Sequence, residues 1–296
     1  MAKTTLCDEI FLFVPKGAGR GDETSFSEAE TASVFSSEGD CLRFADEIGS
    51  PFAGRLFADA GFSGSDNLVF KTIRAYRRLT GWPEEPVGVK IKKRIPLGAG
   101  LGGGSSDAAA VLKLLDMSRK NGPKNARSFG DKDGLSRLAL SELAASLGGD
   151  VPFFLEEDSV CVARGIGERL FRYSEKLPGS RIILVNPGLS LSTASVFLEL
   201  GLTTSPGSSI SFSADLGGLD SAFGRNDLEG AAVKLCPAIS EIKAALSAAR
   251  PAPSLVGLSG SGPTCWALYE DEAKAFQALA SLDPPSQWWV KAAALA

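Results

Sequence analysis

Five glycines lie between residues 98 and 104, in the stretch Ile95-Pro-Leu-Gly-Ala-Gly-Leu-Gly-Gly-Gly-Ser-Ser-Asp-Ala-Ala109. Glycine lacks the Cβ atom that would keep a ligand away from the backbone, and it adopts positive φ angles readily. Successive backbone N–H groups can therefore point into one concavity, which suits an anion. We expect residues 96–106 to bind phosphate through the main chain.

A strand and a helix should flank this loop if it is to hold an anion. Ahead of it, apolar residues alternate with other residues at the period of a half-buried strand, at Val87, Val89 and Ile91. Behind it, apolar residues recur at the spacing of an amphipathic helix, at Ala108, Val111, Leu112 and Leu115. Ser105 or Ser106 is the expected N-cap of that helix, whose free N–H groups and positive dipole end would face the same anion.

Other kinds of glycine-rich loop fit this stretch less well. Residues 98–103 match the dinucleotide fingerprint G-x-G-x-x-G, but that fold needs a second apolar strand ending in an acidic residue about 20 residues on. Here a polar segment, residues 118–127, follows instead. The P-loop is excluded because no Gly-Lys-Ser/Thr closes the run. A flexible linker is disfavoured because a patterned strand and a patterned helix flank the loop.

The composition of the chain narrows the possible chemistry. Of its 296 residues 44% are hydrophobic, enough to bury a sizeable core in two ordinary domains or one large one. Histidine is absent, which removes Ser-His-Asp hydrolysis, histidine-based zinc sites and any imidazole base. The five cysteines are odd in number and form no C-x-x-C pair, so neither a disulfide framework nor a zinc site is indicated.

Charge and hydropathy define the partners that we expect. A formal net charge of -4 gives no general attraction to nucleic acid or to acidic membranes. The sequence has no apolar run of the roughly 18 residues that span a bilayer, and its N-terminus does not resemble a targeting signal. We therefore expect no nucleic-acid or membrane partners. We also expect a cytoplasmic protein, a small-molecule substrate, and a monomer or a weak homodimer.

The glycine loop and its flanks resemble motif 2 of the GHMP kinase superfamily, Pro-x-Gly-x-Gly-Leu-Gly/Ala-Ser-Ser. The longer match, over residues 95–109, is most similar to the 4-diphosphocytidyl-2-C-methyl-D-erythritol kinases of non-mevalonate isoprenoid biosynthesis. The resemblance implies an ATP- and Mg²⁺-dependent kinase that phosphorylates an alcohol. It also implies an α+β fold of two domains. These are a ribosomal protein S5 domain 2-like, ATP-binding domain over residues 1–175 and a ferredoxin-like C-terminal domain over residues 176–296.

A second match concerns the base that such a reaction needs. The predicted helix over residues 135–147 runs into Gly148-Gly-Asp-Val-Pro-Phe-Phe154. Taken alone, Asp150 could equally be a turn former or a functional carboxylate. The segment resembles the Gly-Ala/Gly-Asp-Val-Pro-Phe of the superfamily, which implies that Asp150 is the catalytic residue.

The resemblance also implies contacts to nucleotide, metal and substrate. Asn67 corresponds to an asparagine at a helix start near the nucleotide, and Ser106 would additionally contact Mg²⁺. Thr193, and Gly260 and Gly262 in a turn that resembles motif 3, are expected on the substrate side. The nucleotide would be held by Pro96, Leu97, Gly98, Ala99, Gly100, Leu101, Gly102, Gly103, Gly104, Ser105 and Ser106.

The N-terminal part departs from the family pattern, which begins with a Pro-Ala-Lys-x-Asn-Leu strand and a Gly-Tyr-His turn. Lys3 could be the assisting lysine, but we prefer to align residues 5–10 with the strand that follows the turn. The first elements are then missing, and residues 15–64 contain a loop or insertion. Two alternatives therefore stay open: another GHMP kinase, of the homoserine or mevalonate type, or a catalytically impaired nucleotide-binding relative.

Most of the remaining elements are predicted from pattern alone. A helix over residues 65–81 should begin at Ser65 or Asp66 and end at Gly81. Its inward residues should be Val69, Ile73, Tyr76 and Leu79, and its outer, solvated residues Arg74, Arg77 and Arg78. Residues 15–39 should be a loop or disordered, and the Ser/Gly-rich residues 203–220 should be exposed. Strands are expected at residues 6–14, 41–44, 181–185 and 288–291, a hairpin at 254–268, and further helical segments from 229 to 246 and at 271–282. By resemblance to the family, residues 161–170 should form a turn between two strands, and Asn226-Asp-Leu-Glu229 matches a family signature.

Overall fold

The computed structural model describes residues 1–14, 32–47, 67–121, 134–173, 177–201 and 225–296. The chain forms two compact units, one of Met1–Pro96 with Gly102–Ser174 and one of Leu97–Leu101 with Glu175–Ala296. The glycine loop thus passes from the second unit into the first. Ser65 and Asp66 lie outside the described residues. So do the parts of the predicted segments 15–64, 118–127 and 203–220 that the described ranges do not include.

The sheet of the first unit carries the strand that leads into the glycine loop. Its described strands are β1 (Glu9–Phe13), β2 (Ala32–Phe35), β3 (Cys41–Asp46) and β4 (Gly88–Lys93), in the order β1-β4-β3-β2. β4 pairs antiparallel with β1 and parallel with β3. Alternate residues of β4 are buried, as the alternation of Val87, Val89 and Ile91 predicts.

The first unit contains helices close to the three predicted ones and, in addition, the short helix α4. They are α1 (Leu68–Thr80), α2 (Gly103–Asn121), α3 (Arg137–Leu147) and α4 (Val151–Leu155), followed by the hairpin of β5 (Cys161–Arg164) and β6 (Arg169–Arg172). Buried apolar residues of α2 include Val111, Leu112 and Leu115, as their spacing predicts. Tyr76 of α1 donates a buried hydrogen bond of 3.0 Å to Asp116 of α2. This bond and the apolar contacts beside it fix α2 within the unit.

The second unit packs helices on an antiparallel sheet. Its described elements are β7 (Arg181–Asn186), α5 (Thr193–Glu199), α6 (Glu229–Leu235), α7 (Ala238–Ala248), β8 (Leu255–Leu258), β9 (Cys265–Tyr269), α8 (Glu272–Ser281) and β10 (Trp289–Ala294). The strand order is β10-β7-β9-β8. The predicted strand at 181–185 and the hairpin at 254–268 are confirmed. The core includes Ile183, Ile239, Ile242, Leu246 and Ala267.

The prediction of a loop over residues 15–39 is wrong for its last part. β2 pairs with β3 as a hairpin, and the turn between them is built around the side chain of Asp40. Asp40 is fully buried and accepts two hydrogen bonds from Arg77, at 2.7 and 3.0 Å, and one from the Val87 N–H at 2.8 Å. A long-range ion pair therefore orders a segment whose own composition favours a loop. The same ion pair places Arg77 against the buried Asp40, whereas we predicted a solvated position for Arg77.

α1 differs from the prediction at its start and at one of its inward positions. Asn67 is the N-cap, and its side chain accepts a hydrogen bond of 2.9 Å from the Val69 N–H. Gly81 ends the helix with a φ of 69°, as predicted. Leu79 is 53% exposed, whereas Thr80 takes the inward position and donates to the Tyr76 carbonyl at 2.8 Å. Both follow Tyr76 at helical spacing, and the hydroxyl of Thr80 gains a partner inside.

No helix within the described ranges has the length and the apolar composition that a membrane crossing requires.

Candidate active site

The first half of the glycine loop, Leu97–Leu101, packs within the second unit against the β8–β9 turn. Gly100 has a φ of 72°, and a Cβ atom there would lie 2.5 Å from the Ser259 carbonyl oxygen and 2.6 Å from that of Gly262. Ser259 donates its hydroxyl proton to the Gly100 carbonyl at 2.8 Å. The turn that resembles motif 3 therefore contacts the loop backbone directly, and Gly100 is required because two main chains meet there.

The second half of the loop becomes the first turn of α2. The Ser106 N–H donates to the Gly102 carbonyl at 2.9 Å, so the N–H groups of Gly103, Gly104 and Ser105 precede the first intrahelical bond. The prediction that Ser105 or Ser106 caps this helix is wrong, because α2 begins at Gly103. Ser106 instead donates its hydroxyl proton to the Gly103 carbonyl at 2.8 Å. The free N–H groups remain suited to an anion.

The five glycines of the loop do not share one role. A Cβ atom at Gly98 would lie 2.7 Å from Cβ of Ser190, one at Gly102 would lie 3.0 Å from the Phe154 ring, and one at Gly103 would lie 3.0 Å from Ile95. At Gly104 a Cβ atom would meet nothing within 4 Å. Of the five, Gly104 alone is thus not explained by protein packing. An anion at the helix N-terminus would approach the backbone at this residue.

Asp150 lies between α3 and α4, at the N-cap position of α4. Gly149, beside it, packs so closely on the β5–β6 turn that an added Cβ atom would strike the Ile166 carbonyl oxygen. The glycine before Asp150 and the turn of the following hairpin thus fix the backbone of Asp150, whose exposed side chain makes no capping hydrogen bond. Partial loss of hydration raises the pKa of Asp150 above its ordinary value. A positioned carboxylate with a raised pKa suits a general base.

Lys3 lies near α4 in the same unit. Its ammonium group donates to the Glu156 carbonyl at 2.5 Å and lies 5.2 Å from the centre of the Phe153 ring. Lys113 of α2 donates to the Phe154 carbonyl at 2.9 Å. Both lysines therefore bind carbonyl groups at the C-terminal end of α4, whose opposite end carries Asp150.

A buried ionic cluster lies directly beneath the start of α2. The Lys93 ammonium group contacts the carboxylate of Asp8 and lies 2.8 Å from Oδ2 of Asp107, and these side chains are at most 7% exposed. Burial disfavours the charged lysine, but Asp107 and Asp8 outweigh this and raise the pKa of Lys93. Burial and the nearby Asp8 raise the pKa of Asp107, against the opposing effect of Lys93. None of these three residues was predicted to contribute to the site.

Two asparagines hold the β8–β9 turn in the second unit. Asn226 donates to the carbonyls of Leu258 and Gly260, at 3.1 and 2.7 Å, and Asn186 donates to the Thr264 hydroxyl at 2.9 Å. Gly260 and Gly262 lie in this turn with φ angles of 55° and 80°. Thr193, the first residue of α5, has its hydroxyl 2.8 Å from that of Ser261. The predicted substrate-side residues are thus brought together by one turn.

The donor set near the loop fits Mg²⁺ only together with phosphate. Within the described ranges, no group of three or more His, Cys, Asp or Glu side chains could hold a metal ion. Mg²⁺ commonly keeps several waters and binds one or two protein oxygens plus nucleotide phosphates. The Ser106 hydroxyl donates its proton within the helix, so its lone pairs stay available to accept or coordinate.

Comparison with known proteins decides the family. The model of the GHMP kinases N terminal domain matches residues 67–157, and that of the GHMP kinases C terminal domain matches residues 212–284. A 4-diphosphocytidyl-2-C-methyl-D-erythritol kinase from Geobacter sp. (strain M21) is 37% identical over 235 residues, which cover 77% of this chain and 76% of the relative. The chain belongs to the GHMP kinases. The predicted α+β fold of this family of small-molecule kinases is thereby confirmed.

Further relatives cover more of the chain. A kinase of the same name from Caulobacter vibrioides (strain NA1000 / CB15N) is 34% identical over 300 residues, 96% of this chain and 95% of the relative. A crystal structure of 4-(cytidine 5'-diphospho)-2C-methyl-D-erythritol kinase has a TM-score of 0.56 at 28% identity, over 100% of this chain and 89% of that one. The mevalonate kinase of Methanococcus jannaschii has the same TM-score at 11% identity and supports the fold alone.

Lys93 and Asn226 contribute to the site although neither was predicted as a site residue. Each has a recognisable feature in the sequence. Lys93 continues the inward alternation of Val87, Val89 and Ile91, so its side chain had to enter the core and find a counter-charge. Asn226 stands in the Asn-Asp-Leu-Glu segment, which resembles a family signature. The two carbonyl groups to which it donates lie more than 30 residues away and have no local signature.

Proposed function

We propose that this GHMP kinase transfers the γ-phosphoryl group of ATP to the 2-hydroxyl of 4-diphosphocytidyl-2-C-methyl-D-erythritol. The observation that carries the proposal is the similarity, at 34–37% identity and over up to 95% of their length, to kinases of that name. The Gly-Gly-Asp-Val-Pro match around Asp150 agrees with it. The proposal places the enzyme in the cytoplasm and in non-mevalonate isoprenoid biosynthesis, with residues 1–175 as its ATP-binding domain.

Nucleotide binding is assigned to the start of α2 and the loop before it. The N–H groups of Gly103, Gly104 and Ser105 are free of intrahelical partners and lie at the positive end of a 19-residue helix. They would donate to phosphate oxygens, with no Cβ atom at Gly104 to keep those oxygens away. Mg²⁺, when bound, would neutralise phosphate charge, and Ser106 would supply an oxygen ligand.

We assign Asp150 as the base that accepts the proton of the acceptor hydroxyl. Phosphoryl transfer passes through a loose transition state, so positioning and charge neutralisation supply most of the catalysis. Asp150 would orient the alcohol and accept its proton as the oxygen bonds to the γ-phosphorus. The bond to the bridging oxygen breaks at the same time and ADP leaves. The raised pKa of Asp150 favours this acceptor role.

A substrate panel tests the proposal. Purified protein is incubated with Mg·ATP and one acceptor at a time: 4-diphosphocytidyl-2-C-methyl-D-erythritol, homoserine or mevalonate. ADP release and the phosphomonoester product are measured in each reaction. We expect one phosphomonoester per ADP with the first acceptor and background ADP with the other two. Faster turnover of homoserine or mevalonate would replace the assigned substrate. Mg·ATP binding with no turnover of any acceptor would identify a catalytically impaired relative.

A further inference from the structure

Lys93, Asp8 and Asp107 form a buried cluster, which we call the ionic triad, at the two ends of the glycine loop. Lys93 is the last residue of β4, which enters the loop, and Asp107 lies in the first turns of α2, which leaves it. The lysine contacts the Asp8 carboxylate and lies 2.8 Å from Asp107. One ammonium group thus ties the strand before the loop to the helix after it.

The remaining contacts of the triad are also to the loop ends. Oδ1 of Asp8 accepts hydrogen bonds from the Arg94 N–H at 2.6 Å and the Ile95 N–H at 2.9 Å, the two residues that follow β4. The Lys93 ammonium nitrogen lies 3.5 Å from the position that a Cβ atom at Gly103 would occupy, at the first residue of α2. The triad therefore contacts the backbone where the chain enters the loop and lies against the backbone where it becomes helix.

Stability alone is a poor reason for such a cluster. Desolvating three charged groups is unfavourable, and apolar side chains of similar size often stabilise a core equally well or better. A buried ionic group can instead select one conformation of the chain around it. A loop with five glycines in seven positions has many conformations of similar energy, and N–H donors bind an anion well only when they are held in place beforehand.

We propose that the ionic triad is the positioning device of the nucleotide loop, with Lys93 as a positioning residue for ATP that itself contacts no ligand. The inference rests on the proposed function only in that ATP is taken as the ligand of the loop. It does not depend on which alcohol is phosphorylated. Loss of the triad should therefore weaken nucleotide binding more than it slows the transfer step.

The test compares Lys93→Met with Lys92→Met. Lys92 is the neighbouring lysine of the same strand, but its side chain is 33% exposed and pairs with Glu9 at the surface. The Kd of Mg·ATP is measured by calorimetry, kcat at saturating ATP by ADP release, and folding by circular dichroism. We expect Lys93→Met to raise the Kd about tenfold or more while kcat falls less than the Kd rises, and Lys92→Met to change neither. A folded Lys93→Met variant with wild-type Kd would overturn the proposal.

A triple variant keeps the test decisive if Lys93→Met leaves two buried carboxylates unpaired and fails to fold. Lys93→Met/Asp8→Asn/Asp107→Asn removes all three charges of the triad, and the amide that replaces the Asp8 carboxylate keeps an oxygen for the N–H groups of Arg94 and Ile95. We expect this variant to fold and still to bind Mg·ATP about tenfold more weakly than wild type. Wild-type affinity would mean that the triad serves stability alone. A wild-type protein that bound no Mg·ATP would refute the proposed function instead.

Discussion

Asp150 joins the proposed chemistry to the local fold. Its position follows from Gly149, which packs on the β5–β6 turn, and from α4, which begins at the next residue. The lysines at the other end of α4, Lys3 and Lys113, bind its last carbonyl groups. The backbone of Asp150 is therefore held in place while its side chain is exposed, and a conservative substitution there should change chemistry without changing the fold.

Asp150→Asn should lower kcat by about 100-fold or more, because a positioned base typically contributes about 10²- to 10⁴-fold. The Kd of Mg·ATP should stay within about threefold, because the amide keeps the size of the carboxylate. Rapid-quench measurement of a single turnover, with calorimetry for binding, checks both values. Asp158→Asn is the matched control, since Asp158 is a surface residue of the same unit. Near-wild-type turnover of Asp150→Asn would remove Asp150 from the role of base.

The pH dependence of the rate provides a second test of Asp150 as the base. The pKa of Asp150 is raised by partial burial, so its carboxyl group stays protonated to a higher pH than an ordinary aspartate. A protonated carboxyl group cannot accept the proton of the alcohol. The rate should therefore fall on the acidic side at a pH above the ordinary aspartate pKa of about 3.9. In Asp150→Asn the residual rate should lack this step.

The glycine loop combines two different requirements on neighbouring residues. Gly100 serves protein packing, because the carbonyl groups of Ser259 and Gly262 leave no room for a side chain. At Gly104 an added Cβ atom would meet nothing within 4 Å, so protein packing does not require a glycine there. A pair of alanine substitutions should therefore separate folding from nucleotide binding.

Gly100→Ala should lower the free energy of unfolding by about 1–3 kcal/mol, because its φ of 72° and the nearby carbonyls both disfavour a Cβ atom. Gly104→Ala should leave unfolding unchanged or stabilise the protein by up to about 1 kcal/mol, since alanine is the better helix former. Urea unfolding measures both values. Gly104→Ala should nevertheless raise the Kd of Mg·ATP, because its methyl group occupies the approach to the N–H groups. An unchanged Kd would place the phosphates elsewhere.

Nucleotide binding should also appear in the stability of the whole protein. A ligand that binds only the folded state stabilises it by about 2.7 kcal/mol when present at 100 times its Kd. Mg·ATP should accordingly raise the thermal unfolding midpoint, measured by circular dichroism, in a concentration-dependent way. At the same nucleotide concentration the shift should be smaller in Gly104→Ala. A midpoint that does not respond to Mg·ATP would contradict nucleotide binding by the folded chain.

Local patterns predicted most elements because burial repeats with the period of the backbone. The alternation at Val87, Val89 and Ile91 predicted β4, and the spacing of Val111, Leu112 and Leu115 predicted the buried side of α2. The loop between them was identified from glycine chemistry and from its resemblance to a family motif. In each case the prediction depends on residues that are close together in the sequence and share one backbone geometry.

Long-range contacts account for what these patterns missed. β2 is a strand because it pairs with β3, and the turn between them is held by Asp40, which pairs with Arg77, 37 residues away. Lys93 was predictable as an inward residue, since it continues the alternation of β4. Its partner Asp8 lies 85 residues earlier in the chain, and only the folded sheet brings them together. Local periodicity specifies which side of an element is buried, whereas the fold specifies which charges and which backbones meet there.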